Sequence, residues 1–310
     1  MKHRIVCLVF VLFVAGRESH AGGFSKLPIS ARAVSLGGSL ISFADDPNTL
    51  FSNPAGIASL NSLSLSTSYT QLFSGITDDQ IGYLSASAVA NLGFVGNLGI
   101  GLKSLSSNTW KENELVGSYA QELFEFLSVG GSVKLLHWST PPPAGRHAVP
   151  EDGMSKVTLS FDVGAQSLIR DIVPENDVRF GIFFGDLTQP SIAKNGSDDG
   201  KLDLKMAAGV TYLSRVYDYA VTLHYTVAGD VKRIGVGTEI VAMKSTAFGE
   251  PLQVLIRFGG GGVQSPARQG DLNGGVGLVA YGFILDYAFA HQTELLYLTG
   301  THHVSLRYSF

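Results

Sequence analysis

The stretch SLSLSTSYTQL, residues 62–72, alternates between larger and smaller side chains at every second position. Serines fill the small positions, and the larger set is Leu63, Leu65, Thr67 and Tyr69. Successive side chains of a β-strand point to opposite sides, so this period of two predicts a strand with one apolar and one polar face. The final residues, THHVSLRYSF (301–310), repeat the design.

Segments of this kind recur along the chain and number about fourteen. They lie near residues 62–72, 80–90, 92–104, 114–122, 127–138, 156–168, 177–188, 202–213, 218–227, 232–243, 251–259, 272–281, 282–291 and 301–310. An even number of short alternating segments with polar connectors is typical of an outer-membrane barrel. We therefore predict an all-β, transmembrane antiparallel β-barrel of about 14 strands. A soluble sandwich or barrel also alternates, but its outward sets would not be so uniformly large and apolar.

Composition excludes several classes of protein. The chain has 310 residues, of which 15% are charged, and its net charge of −4 provides no basic surface for nucleic acid. No stretch after residue 21 approaches 18 consecutive apolar residues, so we expect no helical membrane span. Aromatic residues near strand ends are expected to form interfacial girdles: Tyr69, Trp110, Trp138, Tyr212, Tyr219, Tyr297 and Tyr308.

The N-terminus has the features of an export signal. Lys2 and Arg4 precede an apolar run from Ile5 to Ala15, which is too short to span a bilayer, and Ser19-His20-Ala21 supplies small residues for cleavage. We therefore divide the chain into a signal peptide (1–21), an N-terminal hatch or plug (22–60) and a barrel (61–310). The lone cysteine lies in the signal, so no disulfide is expected in the mature protein.

Residues 22–60 do not alternate, and glycines and prolines divide them into short apolar pieces. A barrel of about fourteen strands encloses space that such a segment can fill, whereas eight strands fill their interior with their own side chains. We expect a compact plug. A flexible tail is the alternative, but the apolar content of the segment disfavours it.

This region also carries a resemblance. It contains Gly37-Gly38 and the predicted hatch residues Asp45, Asp46, Pro47, Asn53, Pro54, Ala55 and Gly56, and it resembles the N-terminal hatch of FadL-type outer-membrane proteins, most of all their PorV/PorQ-like branch. The resemblance implies a fourteen-stranded barrel plugged by that hatch, which passes long-chain fatty acids and other hydrophobic molecules. It also implies a kinked third strand that opens laterally into the bilayer, with Gly93, Gly96 and Gly99 as candidates for the kink. Phe310 resembles the terminal signal that the barrel-assembly machinery reads.

Inward-facing charges are the candidates for ligand binding. If the apolar sets face lipid, the polar parity places these residues in the lumen: Lys134, Asp162, Arg179, Lys205, His224, Glu239, Arg257, Asp286, His303 and Arg307. A carboxylate head group needs a cationic donor beside an apolar slot, so Arg179, Arg257 and Lys134 are our candidate anchors. The alternative is that these cations pair with Asp162, Glu239 and Asp286 to brace the wall.

The sequence thus favours a passive outer-membrane channel for hydrophobic molecules, with long-chain fatty acids as the expected ligand. The expected partners are this ligand, outer-membrane lipids and the barrel-assembly machinery. The alternative is a PorV-like accessory barrel of a protein secretion system. We expect no catalytic residues, cofactor or metal, since His302-His303 lacks further ligands at metal-binding spacing.

Overall fold

In a computed structural model, the chain forms one closed antiparallel barrel of fourteen strands, in which every strand pairs with its neighbours in sequence and β1 closes against β14. The structure describes residues 24, 28–38, 40–72, 81–142, 153–197, 200–247, 249–264, 269–293 and 300–310. The strands are β1 (Ser64–Gln71), β2 (Gly82–Asn91), β3 (Asn97–Ser106), β4 (Lys111–Phe124), β5 (Leu127–Ser139), β6 (Ser155–Val173), β7 (Asn176–Gly185), β8 (Lys205–Ser214), β9 (Tyr219–Ala228), β10 (Val231–Ala247), β11 (Glu250–Gln264), β12 (Gln269–Ala280), β13 (Phe283–Gln292) and β14 (Thr301–Ser309). The predicted fold class is confirmed. The predicted signal peptide lies outside the described residues, and the division into domains stays a prediction.

The two ends of the barrel differ in their connections. At one end, which we call the turn end, β1 begins, β14 ends, and strands are joined by short turns such as 125–126, 174–175 and 281–282. The other end, which we call the loop end, carries the longer connections 72–81, 140–154, 186–204 and 293–300.

The two faces of the wall are inverted relative to those of a soluble protein. Along β14, Val304 and Leu306 are exposed on the outside, while His303, Ser305 and Arg307 are buried inside. The same alternation runs through β1 and β6. A continuous apolar exterior around a polar interior is the arrangement that a bilayer requires, because a basic side chain on the lipid face costs about 2–4 kcal/mol at the membrane midplane.

Exposed aromatic side chains form a belt at the turn end. The belt consists of Phe94, Phe124, Phe126, Tyr217, Tyr281, Phe283 and Phe310, with the half-buried Tyr308 beside them. Phe310 packs edge-on against Tyr308, with ring centroids 4.6 Å apart, and its backbone N–H donates to Leu63. Aromatic belts of this kind lie at membrane interfaces. The role of Phe310 as an assembly signal stays a prediction.

Trp138 was expected in a girdle, and that expectation is wrong. It occupies an inward position on β5, is 6% exposed, and stacks on Trp110 with ring centroids 4.8 Å apart. Its indole N–H donates to the carbonyl of Ile192 in the connection between β7 and β8. Leu202 joins the same buried cluster, because β8 begins at Lys205 and not at residue 202 as predicted. Tyr297 lies outside the described residues.

The N-terminal segment, residues 28–60, lies inside the barrel. It consists of helix α1 (Ala31–Ser35) and two short 3₁₀ helices, Pro47–Phe51 and Pro54–Ser59. Helix α1 contacts β11 to β14, and the 3₁₀ helices contact β1 to β6, so the segment reaches opposite sides of the wall. Among the described residues, no helix has both the length and the apolar character needed to cross a membrane.

Candidate ligand-binding site

Local capping explains why the predicted hatch residues fold as they do. The Asp46 carboxylate accepts from the backbone N–H of Asn48 at 2.9 Å, and Asn53 accepts from Ala55 at 3.2 Å. A proline follows each cap, at the first position of each 3₁₀ helix, where its fixed φ suits the turn and its missing N–H costs nothing. Asp46 and Asn53 are N-caps, which is the local reason for two acceptor-proline pairs in the motif.

Asn53 also fastens the segment to the wall. Its amide group donates to the carbonyl of Ile41 at 2.8 Å, within the segment, and to the carbonyl of Ala165 on β6 at 3.2 Å. Asn53 is fully buried. Its side chain therefore serves three backbone groups at once, which an apolar residue of the same size cannot do.

Inward-facing glycines form the seat of the segment. A Cβ on Gly181 of β7 would lie 2.1 Å from the carbonyl oxygen of Ile41. A Cβ on Gly237 of β10 would lie 2.4 Å from the Cα of Leu36. Atoms cannot approach this closely, so the segment reaches the wall because these positions lack side chains. Part of the high glycine content of the chain is thereby explained.

Six buried or nearly buried charges close into an ion-pair ring between the segment and four strands. Three arginines alternate with three carboxylates, so the ring has no net charge. We define the ion-pair ring as Arg32, Glu239, Arg257, Asp286, Arg307 and Asp46, in order around the ring.

The segment contributes two members of the ring. The Arg32 guanidinium donates to both carboxylate oxygens of Glu239 on β10, at 2.9 Å and 2.8 Å. Asp46 lies 3.0 Å from Nη1 of Arg307 on β14, and 3.8 Å from Nη1 of Arg32, where the ring closes. Bidentate arginine–carboxylate pairs are stronger and more directional than single bonds. The segment is therefore held at two points by charge.

The wall contributes the other four members. Arg257 on β11 has no exposed surface and donates to Glu239 at 2.5 Å and to Asp286 on β13 at 2.7 Å. Arg307 donates to the other oxygen of Asp286 at 3.1 Å. Arg257 thus has the two carboxylate partners that the alternative given in the sequence analysis, pairing of lumen cations with carboxylates of the wall, expects.

Arg32 also holds Asp45, outside the ring. Burial alone lowers the pKa of a guanidinium, but Asp45 and Glu239 outweigh it, and the pKa of Arg32 is raised. Burial likewise tends to raise the pKa of Asp45, but Arg32, 2.9 Å away, keeps that pKa well below its usual value. Although Arg32 is buried, 59% of the Asp45 side chain is accessible.

A cavity of about 340 Å³ lies between the N-terminal segment and the loop end. Its apolar walls come from the segment (Ile29, Val34, Leu40, Phe51) and from the strands and a loop (Leu136, Phe183, Leu202). The volume is within the range of ligand pockets in proteins, and an apolar space of about 150 Å³ already holds benzene. The cavity can therefore take a small hydrophobic molecule or part of a longer chain.

The cations at the cavity are already occupied. Lys103 pairs with Glu114 at 2.6 Å. Arg233 pairs with Asp271 at 2.7 Å. Lys205 lies over the ring of Phe183, 5.5 Å from its centroid.

Of the three predicted anchors, the structure brings only Lys134 to the cavity. Its ammonium lies 2.7 Å from Asp162 and 2.6 Å from Asp186, both of which also line the cavity. Arg257 pairs with Glu239 and Asp286 in the ion-pair ring. Arg179 lies on the turn side of Gly181, on which the segment rests, and does not line the cavity. Neither arginine lines the cavity, and their role as ligand anchors in the lumen stays a prediction.

The glycines predicted for the kink in the third strand do not interrupt the pairing of that strand. Gly93 and Gly96 fall in the turn between β2 and β3, with φ of +66° and +105°. From residue 97 to 106, β3 pairs with β2 on one side and β4 on the other without a register shift. Gly99 therefore lies in an unbroken strand, where its inward side meets Ile57 and Leu50 of the segment.

The sequence analysis missed five charged residues that the structure places at the cavity, Lys103, Glu114, Asp186, Arg233 and Asp271. The signal was available, since Arg233 has the same inward parity on β10 as Glu239, which was recognised. His224, recognised only as inward, is 3% exposed and lines the cavity beside them.

Several solved structures share this architecture. The chain resembles the Pseudomonas putida toluene transporter TodX (TM-score 0.61, 11% identity, covering 91% of this chain and 98% of that one). It also resembles a Pseudomonas aeruginosa FadL homologue (0.59, 14%, 91% and 98%) and the CymD monoaromatic hydrocarbon channel (0.55, 13%, 93% and 99%). At these identities the likeness shows the fold: this chain has the FadL-type barrel fold.

Comparison with models of known protein families gives no match. Comparison with curated proteins gives none either.

Proposed function

We propose that this chain is an outer-membrane channel for the passive passage of hydrophobic molecules. The observation that carries the proposal is the cavity of about 340 Å³, which has apolar side chains in its walls beside charges that already have partners, and which lies inside a barrel with an apolar exterior. Two of the structurally similar proteins named above, described as a toluene transporter and a monoaromatic hydrocarbon channel, support the same class of ligand.

Apolar burial drives ligand entry in this proposal. Each methylene that leaves water for the cavity contributes about 0.8 kcal/mol, which is about fourfold in affinity. No catalytic step or cofactor is needed for such transfer. Long-chain fatty acids, our expected ligand, enter the cavity with their chains and not with their carboxylates, and we propose them together with small aromatic hydrocarbons as the substrate class.

We further propose that the N-terminal segment acts as the hatch. It separates the cavity from the turn end, and the ion-pair ring and the glycine seat hold it there. A molecule in the cavity leaves when this segment moves. A lateral exit into the bilayer additionally requires the pairing of β3 near Gly99 to open, because both edges of that strand are bonded.

Displacement of a fluorescent long-chain fatty acid from the purified, folded barrel tests the proposal. Toluene and fatty acids of increasing length should displace the probe saturably, with affinity rising with chain length. Ala228→Phe fills the cavity from its wall and should weaken binding at least tenfold. Ala88→Phe, on the outer face of β2, is the matched control and should bind as the wild type does.

Absence of saturable binding to a correctly folded wild-type barrel would reject the channel and direct attention to a protein-partner role. Equal weakening by both phenylalanine variants would show that the probe binds the outer wall instead.

A further inference from the structure

His224 is a buried side chain without hydrogen-bond partners. Its imidazole is 3% exposed, and neither Nδ1 nor Nε2 has a partner in the part of the chain that the structure describes. The carbonyl of Gly37 lies beside the ring but not in hydrogen-bonding geometry. Buried polar groups in native proteins are almost always paired, and leaving one unpaired is costly. This histidine therefore lacks a partner that a ligand can supply.

The wall is built to leave room beside this ring. Both cross-strand neighbours of His224 are glycines, Gly209 on β8 and Gly235 on β10. A Cβ on Gly235 would lie 2.4 Å from Nε2 of the imidazole, so the ring leans over that glycine. His224 and Thr226, two residues further along β9, both line the cavity. The imidazole thus places a polar group without a partner beside the apolar walls of the cavity.

The charges around this point argue against an ionic ligand group. Arg233, Lys205 and Asp271 are the charged neighbours of His224. Arg233 is paired with Asp271 and also donates to Gly37, and the other cavity cations have the contacts given above. A carboxylate that entered would have to break an existing pair, and an ammonium would meet carboxylates that are already neutralised. A neutral imidazole offers one donor and one acceptor, which match a hydroxyl group that accepts and donates.

We propose that His224 is the polar subsite of the cavity and selects hydrophobic ligands that carry a neutral hydroxyl group, such as aromatic or aliphatic alcohols. The proposal rests on the channel function proposed above, because it assumes that the cavity binds a hydrophobic molecule. The ligand body lies among the apolar walls, and its hydroxyl group bonds a nitrogen of His224. Net of water, one such hydrogen bond corresponds to about 2- to 10-fold in affinity.

Three single-ring probes of similar size separate the possibilities: toluene, benzyl alcohol and benzoate. Their affinities for the purified barrel are measured by displacement of one fluorescent probe. The wild type should prefer benzyl alcohol to both others, relative to their affinities for detergent alone. His224→Phe should abolish this preference while keeping toluene affinity, which also reports that the cavity is intact. His224→Gln keeps a donor and an acceptor and should retain part of the preference.

His302→Phe is the matched control, because His302 lies on the outer face against Tyr287 and should not affect any of the probes. Tightest binding of benzoate, or an unchanged alcohol preference in His224→Phe, would overturn the assignment of His224. If none of the three probes binds the folded wild type, the proposed channel function fails as well. Binding of toluene without an alcohol preference overturns the subsite alone.

Discussion

Replacing Arg32 with methionine should release the N-terminal segment while leaving the barrel closed. Arg32 is 3% exposed and makes two hydrogen bonds to Glu239 and one to Asp45. Removing one partner of a buried ion pair costs about 3–5 kcal/mol. The lower value applies here, since Glu239 keeps its bond to Arg257 and Asp45 is accessible to water.

A loss of about 3 kcal/mol corresponds to roughly a hundredfold increase in the population of open segment. Hydrogen exchange followed by mass spectrometry measures it directly, because local opening sets the exchange rate of protected amides. Peptides from residues 30–60 should exchange about a hundred times faster in Arg32→Met, while peptides from the strands should be unchanged. Ionic conductance through the barrel in a planar bilayer should rise in parallel.

Lys244→Met provides the control for this prediction. Lys244 pairs with Asp218 at 2.6 Å, but both side chains are exposed, by 53% and 37%, so the pair is worth about 0–1 kcal/mol. The double variant Arg32→Met/Glu239→Gln removes the charge left behind and should recover part of the protection. Unchanged exchange in residues 30–60 of Arg32→Met would refute the idea that the ion-pair ring holds the N-terminal segment in place. Simultaneous loss of protection in the strands would show that the ion-pair ring stabilises the barrel instead.

Three further predictions concern the seat, the cavity wall and pH. Gly181→Ala should displace the segment at a cost of about 1–3 kcal/mol, seen as faster exchange in residues 30–60, whereas Gly274→Ala, whose Cβ meets nothing within 4 Å, should not. Lys134→Met removes the ammonium that lies 2.7 Å from Asp162 and 2.6 Å from Asp186, and it should lower the free energy of unfolding in urea by about 3–5 kcal/mol. Because the pKa of Asp45 is depressed, its pair with Arg32 contributes above the ordinary carboxyl pKa and is lost only as pH falls through the lowered value. Protection of the segment should therefore stay constant from pH 7 to about pH 4 and decline in stronger acid.

Each of these has an outcome that would count against it. Equal effects of the two glycine substitutions would mean that the segment does not rest on Gly181. An unchanged urea midpoint in Lys134→Met would show that water, not Lys134, solvates the two carboxylates. Loss of protection already near pH 6 would mean that a group other than Asp45 holds the segment.

The sequence was sufficient to predict the number of strands and the face on which each side chain lies, because every strand of a membrane barrel alternates between apolar outward and polar inward side chains. It was insufficient where pairing departs from that rule. The predicted segment 156–168 stops near a register shift between Ile169 and Val173, and β6 continues to Val173. The segment 232–243 likewise stops at the shift between Val241 and Met243, and β10 continues to Ala247. An irregular residue breaks the alternation, so the period fails before the strand ends.

Residue type alone gave a wrong assignment where the inward or outward position of the residue on its strand was not considered. Trp138 was assigned to a girdle because it is aromatic and near a strand end, yet its inward parity on β5 already placed it in the lumen. Partners in the ring could not be found from spacing, since Arg32 and Glu239 are separated by 207 positions in the chain. Only closure of the barrel brings helix α1 next to β10.

The pairing of the buried arginines in the lumen follows from a general property of buried charges. A buried guanidinium is tolerated when carboxylates surround it, so the most deeply buried arginine is the one least free to bind a ligand. Arg257 has no exposed surface and two carboxylate partners, and it serves to hold structure. A group available for recognition must be buried and unpaired at once, and His224 meets that condition because an imidazole can lose its partner without leaving a full charge unpaired. The cavity approaches the helix held by the ion-pair ring at Gly37. The carbonyl of Gly37 accepts from Arg233 at 3.0 Å and lies beside the imidazole of His224. Since Gly37 follows the helix that carries Arg32, a molecule bound at His224 contacts the same short piece of chain that the ion-pair ring holds.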